Sequence, residues 1–245
     1  MQNTDLITRY LQTFNTIDKF LDTLIEVDGF MPYNEKLKII SEEKTHISYF
    51  IQKYEHKLRF FGEIRNHISH SMRIDEQSYI TPTLFAVSEL EKFAEAILKP
   101  ISAYTLFGRK VITCHTGDLV TEVVANMKKS NATHIPLYDE KHHFQGLISE
   151  SILCFQLAQP ENAHQLDILT VEKLDLSGAK EEAAFISRHE NIYQVEQRFD
   201  HYAHTTKRLG ALIITENGKP DELPLGIVTA HDLPLITQHL FMENV

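Results

Sequence analysis

The second half of this chain carries one pattern twice, and a repeated supersecondary unit limits the fold more than any other feature of the sequence. Short β-branched runs alternate with helical stretches in the order VITC (111–114), a helix over 118–129, HIPLYD (134–139), FQGLIS (144–149) and a helix from Glu150. The order returns as AFIS (184–187), a helix over 191–202, LGALII (209–214), LGIVT (225–229) and a helix from Ala230. Val123 and Val195 stand 72 residues apart, as do Met127 and Phe199, whereas Gly146 and Gly226 stand 80 apart. The extra residues fall mostly in the hairpin ENGKPDELP (216–224). Each copy reads as β-α-β-β-α, with repeat one over 108–159 and repeat two over 178–241.

Before Gly108 the periodicity is helical throughout. Leu6, Tyr10, Leu11, Phe14, Ile17, Phe20, Leu21 and Leu24 make one stripe, broken at VDGFMPYN (27–34). A second run extends from Lys36 through Ile47, Phe50, Ile51, Tyr54 and Leu58 to Phe61. A third opens after Thr81-Pro82 and carries Leu84, Val87, Leu90, Phe93, Ile97 and Leu98. The expected fold is therefore α+β in two domains, with an all-α helical bundle over 1–107 and the tandem β-α-β-β-α pair over 108–245.

Charge and composition narrow the function. The net charge is −10, with 12 basic and 15 acidic residues up to position 107 and 12 basic and 19 acidic after it. A general polyanion binder needs the opposite balance, so no DNA binding by the whole surface is expected. Two cysteines, Cys114 and Cys154, make neither a disulfide framework nor a four-cysteine zinc site and suit a reducing compartment. No apolar run approaches a membrane span, and MQNTDLITRYLQTF has the character of neither a signal nor a transit peptide. A soluble cytoplasmic protein is expected, and the 14 histidines show no metal-ligand spacing.

The segments THIPLYD (133–139) with GLIS (146–149), and GIVTAHDL (226–233), have the small-residue-plus-Pro second strand and the closing Gly-φ-φ-[Thr/Ser]-x-x-Asp of the cystathionine-β-synthase (CBS) domain. Two in tandem resemble a Bateman module over roughly 108–241. The resemblance implies a regulatory ligand, an adenine nucleotide (AMP, ADP, ATP or a related messenger), with a Thr/Asp pair holding the ribose. It implies crossed sites, one combining Thr229 and Asp232 with Ile112, Thr113, Ala132, Thr133 and His134. The other would combine Ser149 with Phe185, Ile186, Arg208 and Leu209, but Ile152 stands where its acid belongs. One competent site is therefore expected, at Asp232. The same Thr229/Asp232 pair also suits a helix N-cap with a first-turn acid, which asks for no ligand.

In the first half, RNHISH (65–70) has the form Arg-x4-His and resembles the motif of the HEPN domain (higher eukaryote and prokaryote nucleotide-binding). That resemblance implies a metal-independent ribonuclease, acting on single-stranded RNA as a homodimer. Arg65 would stabilise a pentavalent phosphate, Asn66 would orient the reacting groups and His70 would move the proton. Residues 53–73 hold Lys53, Lys57, Arg59, Arg65 and Arg73 against Glu55 and Glu63, a local excess of three positive charges. Along one straight helix Arg65 and His70 lie about 140° apart, so a distorted helix end or a second copy must bring them together. The alternatives are a bundle serving dimerisation or partner binding, with no enzyme, and a His70 that merely suits a helix C-terminus.

Overall fold

Apolar side chains at every third or fourth position give the first part of the chain four helices: α1 (Gln2–Asp22), α2 (Tyr33–Glu42), α3 (Ser48–Asp75) and α4 (Leu84–Leu98). The structure, a computed structural model, describes all residues except 1, 26–28, 44, 76–78, 178, 181, 206–207 and 242–245. The first residue assigned to repeat two, 178, therefore lies outside the described residues. Two compact units emerge, Met1–Ile101 and Ser102–Val245.

In the first unit α1 buries Tyr10, Phe14, Ile17 and Leu21, and it packs along α4 and against α2 and α3. Thr83 caps α4 by accepting from the Ala86 amide at 3.1 Å. Arg9 grips both carboxylate oxygens of Glu91 at 2.9 Å, tying α1 to α4 in the bidentate geometry that suits a guanidinium.

Two expectations change here. The single helical run over 36–61 is two helices, parted where Glu43 turns extended (φ −84°, ψ 164°). The second of them does not stop near Phe61. It continues to Asp75, and Tyr54 is its one non-helical residue. RNHISH therefore lies inside a helix rather than at its end.

Lys36 is 4% exposed and sits between Asp18 and Asp22, 2.7 Å from each. Burial opposes its charge, but the two carboxylates outweigh burial and raise its pKa. Lys36→Ala is expected to cost the first unit about 2–3 kcal/mol, since it removes charge-assisted hydrogen bonds to partly exposed acids. A denaturant midpoint unchanged by the substitution would contradict this.

The second unit opens on α5 (Ala103–Phe107), whose cap is Ser102. Repeat one follows as β1 (Cys114–His115), α6 (Val120–Ser130), β2 (His134–Tyr138), β3 (Phe144–Ser149) and α7 (Glu150–Leu157). After the short helix α8 (Pro160–Ala163) and two 3-10 turns, repeat two runs as β4 (Ala183–Ser187), α9 (Ile192–Ala203), β5 (Ala211–Thr215), β6 (Gly226–Val228) and α10 (Leu233–Phe241). The two sheets are built alike, in the orders β1-β2-β3 and β4-β5-β6. In each, the first strand pairs parallel to the second and the second antiparallel to the third. Val123 and Met127 of α6 and their counterparts Val195 and Phe199 of α9 are all buried. The connection after α7 is not a passive linker, because Leu169, Val171 and Leu174 join the core of repeat one.

The repeats interlock at their glycines. Arg109 N donates to Leu225 O at 3.1 Å, and Leu147 N donates to Ala179 O at 3.0 Å, so the chain entering each repeat runs beside the third strand of the other. A Cβ on Gly226 would lie 2.7 Å from Phe107 O, and one on Gly146 would lie 2.9 Å from the Ala179 Cβ. The glycine of Gly-φ-φ-[Thr/Ser] is thus a place of close backbone approach. Gly226→Ala is expected to cost about 1–3 kcal/mol, because the clash is with main chain rather than a flexible side chain. Equal unfolding midpoints for variant and wild type would contradict that packing.

Candidate ligand-binding site

Repeat one contributes the end of α6, the start of β2 and the segment before β1. Repeat two contributes the end of β6 and the turn into α10. Together they enclose a cavity of about 580 Å³, lined by Ile112, Ala132, Thr133 and His134 from the first and by Thr229 and Asp232 from the second. That volume lies in the range of small-molecule sites. Asn131 takes the left-handed conformation (φ 53°, ψ 35°) that ends α6 and turns the chain toward Thr133. Of the seven positions singled out from sequence for this site, Thr113 does not line the cavity. Val111 lines it instead, with Arg109, Lys110, Ile227 and His231, which the sequence reading did not single out.

Thr229 and Asp232 are held as a pair. Asp232 Oδ2 accepts from the Thr229 amide at 2.8 Å and from the Thr229 hydroxyl at 2.9 Å. Asp232 Oδ1 has no hydrogen-bond partner among the described residues. One carboxylate oxygen thus fixes the turn while the other remains available as an acceptor, which is what a diol needs. Capping geometry and ligand binding are compatible uses of the same side chain.

His134 shares a hydrogen bond with Thr133 Oγ1 through Nδ1 at 2.9 Å. Gly210 leaves it room, since a Cβ there would lie 3.0 Å from His134 Nε2. Burial lowers its pKa; Glu150 opposes this shift and His231 adds to it. A depressed histidine takes up its proton more readily in the unfolded chain, so stability is full above the ordinary histidine pKa of about 6.5 and is lost as pH falls through the folded value. His134→Gln is expected to flatten that acid-side loss, as read from melting temperature between pH 7 and 5. An identical slope in both proteins would contradict it.

The counterpart site is differently built. Ser149 Oγ sits 2.8 Å from Ser151 Oγ and accepts from the Ile152 amide at 3.3 Å, so it caps α7 with no acid opposite it. Phe185 meets Phe144 edge-to-face at 4.9 Å and packs, like Phe144, on a buried cluster of Leu147, Ala211, Ile213 and Ile227. Ile186 is buried and Arg208 is exposed.

In the first unit, α3 is helical across the whole of RNHISH, which leaves Arg65 and His70 about 140° apart on one chain. Arg65 Cζ lies 5.7 Å from the centre of the Phe14 ring, and Arg65 Nη1 donates to Asn66 Oδ1 at 3.0 Å. Arg65 Nε is buried with no hydrogen-bond partner among the described residues. His70 and Asn66 are exposed. Two cations of the expected basic patch pair with acids within the unit, Lys57 with Glu89 and Arg59 with Glu55 at 2.7 Å. The Arg73 side chain lies outside the described residues.

Among the described residues no group of three or more His, Cys, Asp or Glu is placed to hold a metal ion. No helix among them is long and apolar enough to cross a membrane.

The family model of the CBS domain matches residues 104–158. Its match begins inside α5, within the second unit. No curated protein matches the chain. Among solved structures, the chain is similar to the CBS domain pair of protein MJ0100, solved with 5′-methylthioadenosine and S-adenosyl-L-methionine, at 18% identity and a TM-score of 0.43 over 57% of this chain and 98% of that one. It is similar also to a putative acetoin utilization protein from Vibrio cholerae, at 14% identity and a TM-score of 0.43 over 58% and 93% of the two chains. The CBS domain of a membrane protein from Sphaerobacter thermophilus gives 17% identity and a TM-score of 0.45 over 60% and 95%.

Proposed function

We propose that residues 104–158, a CBS domain, and the repeat that follows form a regulatory module that binds one adenine nucleotide (AMP, ADP or ATP) per chain. The observation that carries this reading is the convergence of both repeats on one cavity. Val111, Ile112, Ala132 and Ile227 give it apolar walls suited to a purine face, and Thr229 with Asp232 supplies the acceptor for a ribose. The Ser149 side lacks that acceptor, which supports one site rather than two. The test is a thermal-shift panel of adenine and guanine nucleotides on the full chain. Adenine nucleotides are expected to raise the melting temperature of the second unit, and a panel in which no adenine compound does so would overturn the reading.

The helical unit is, on this reading, a non-enzymatic output domain that serves dimerisation or partner binding. Support comes from Arg65, which is engaged by Phe14 and Asn66 and is turned away from His70 along α3. Exposure of Asn66 and His70 favours a second reading, a ribonuclease whose site is completed across a homodimer. The two readings part on one assay, single-stranded RNA incubated in EDTA. The output-domain reading expects intact RNA. The ribonuclease reading expects 2′,3′-cyclic phosphate ends and a loss of about 10²–10⁴ in rate for His70→Ala.

A further inference from the structure

The hairpin ENGKPDELP (216–224), which lengthens repeat two, holds a chemically labile pair. Asn217 is the one asparagine of the chain that is followed by glycine, and it is exposed to water. Gly218 takes φ +77°, and a Cβ there would lie 3.0 Å from Ser187 N at the end of β4. The turn therefore needs glycine, both for its backbone and for its approach to the strand. The same absence of a side chain makes the Gly218 amide the least hindered nucleophile toward the carboxamide before it. Glu222 lies across this pair. Its Oε1 accepts from Asn217 Nδ2 at 2.7 Å, and its Oε2 accepts from the Asn217 amide at 2.7 Å and the Lys219 amide at 3.4 Å. These bonds, the Asn217 side chain's first, pull the Glu222 pKa down to about 2, so the carboxylate is charged throughout the neutral range.

We propose that Asn217 is a latent site of spontaneous modification, deamidation through a succinimide, and that Glu222 restrains it. In this reaction solvent hydroxide takes the proton of the Gly218 amide, and the nitrogen's electron pair forms a bond to Asn217 Cγ. The Cγ–Nδ2 bond breaks, and Nδ2 leaves as ammonia with a proton from water, which regenerates the hydroxide. Water then opens the five-membered ring at either carbonyl, leaving aspartate or isoaspartate. Glu222 opposes the first two steps. Its charge, beside the Asn217 and Lys219 amides, disfavours a second negative charge on the Gly218 nitrogen between them. Its bond to Nδ2 fixes the rotation of the carboxamide and makes Cγ less electrophilic. Either product undoes the hairpin. Aspartate sets an oxygen where Nδ2 donated to Glu222, like charge against like charge. Isoaspartate adds a methylene to a main chain that passes close to Ser187. None of these residues lines the cavity, so the site is independent of the nucleotide reading.

Incubation of the full chain in mildly alkaline buffer, followed by peptide mass spectrometry, tests this. The readout is the rate at which Asn217 exchanges its amide nitrogen for oxygen. In the folded wild-type chain that rate is expected to be at least roughly tenfold below the rate in the same chain unfolded in guanidinium chloride, the factor that a charge-assisted hydrogen bond carries. Glu222→Ala is expected to recover most of the difference while the rest of the chain stays folded. Glu222→Gln keeps the length and one acceptor but not the charge, and is expected to fall between the two. Its melting temperature and circular dichroism show that the fold survives, so it carries the test if Glu222→Ala does not fold. An Asn217 that reacts as fast in the folded wild type as in the unfolded chain would overturn the restraint, as would a folded Glu222→Gln that reacts no faster than wild type. An Asn217 that stays intact even when unfolded would overturn the site itself.

Discussion

Asp232→Ala is expected to remove the thermal stabilisation that the proposed nucleotide site would give the wild-type chain in AMP. At a hundredfold excess over its dissociation constant, a ligand that binds only the folded state contributes about 2.7 kcal/mol. The transition that moves is that of the second unit, because the cavity lies wholly within Ser102–Val245. Loss of Asp232 removes the free Oδ1 acceptor and the Oδ2 that holds the Thr229 amide and hydroxyl, so both the anchor and the shape of the turn go together. Thr229→Val separates these effects. It keeps the carboxylate and the amide bond, loses one hydrogen bond, and is expected to retain part of the shift. A full wild-type shift in Asp232→Ala would place the nucleotide elsewhere.

Phe14→Ala is expected to cost the first unit about 3–5 kcal/mol, the usual range for deleting a buried ring. Phe14 is 2% exposed, its ring centre lies 4.6 Å from that of Tyr33, and its face carries the Arg65 guanidinium. That last contact makes the substitution informative about function. If Arg65 is a packing residue, Phe14→Ala and Arg65→Ala are coupled by about 0.5–1 kcal/mol in a double-mutant cycle. Strict additivity would mean that the guanidinium does not rest on the ring in solution, and would return Arg65 to the ribonuclease reading.

Why some of this was legible in the sequence, and some not, follows from which signals are periodic. The repeat shows because each strand alternates with a helix and each copy buries the same positions, Val123 with Val195 and Met127 with Phe199. The Thr229/Asp232 pair shows because its members are three residues apart on one turn. The end of α3 does not show, because past Phe61 the helix buries Ile68 and Ser71 and few other described side chains, and the apolar period fades while the helix continues. The ion pairs of the basic segment divide the same way. Arg59 and Glu55 are an i,i+4 pair readable from spacing, whereas Lys57 finds Glu89 on another helix. Arg109 and Lys110 precede the first strand, and nothing in their local pattern relates them to Asp232, which only folding brings near. Leu169, Val171 and Leu174 were missed because the connection that holds them has no regular period.

On the proposed reading the two repeats build one nucleotide site between them, on the Asp232 side. Calorimetric titration of the wild-type chain with AMP counts the sites directly. One AMP per chain is expected, with no binding heat in Asp232→Ala and wild-type binding in Ser149→Ala. Two AMP per chain, or binding that survives Asp232→Ala and is lost in Ser149→Ala, would contradict it.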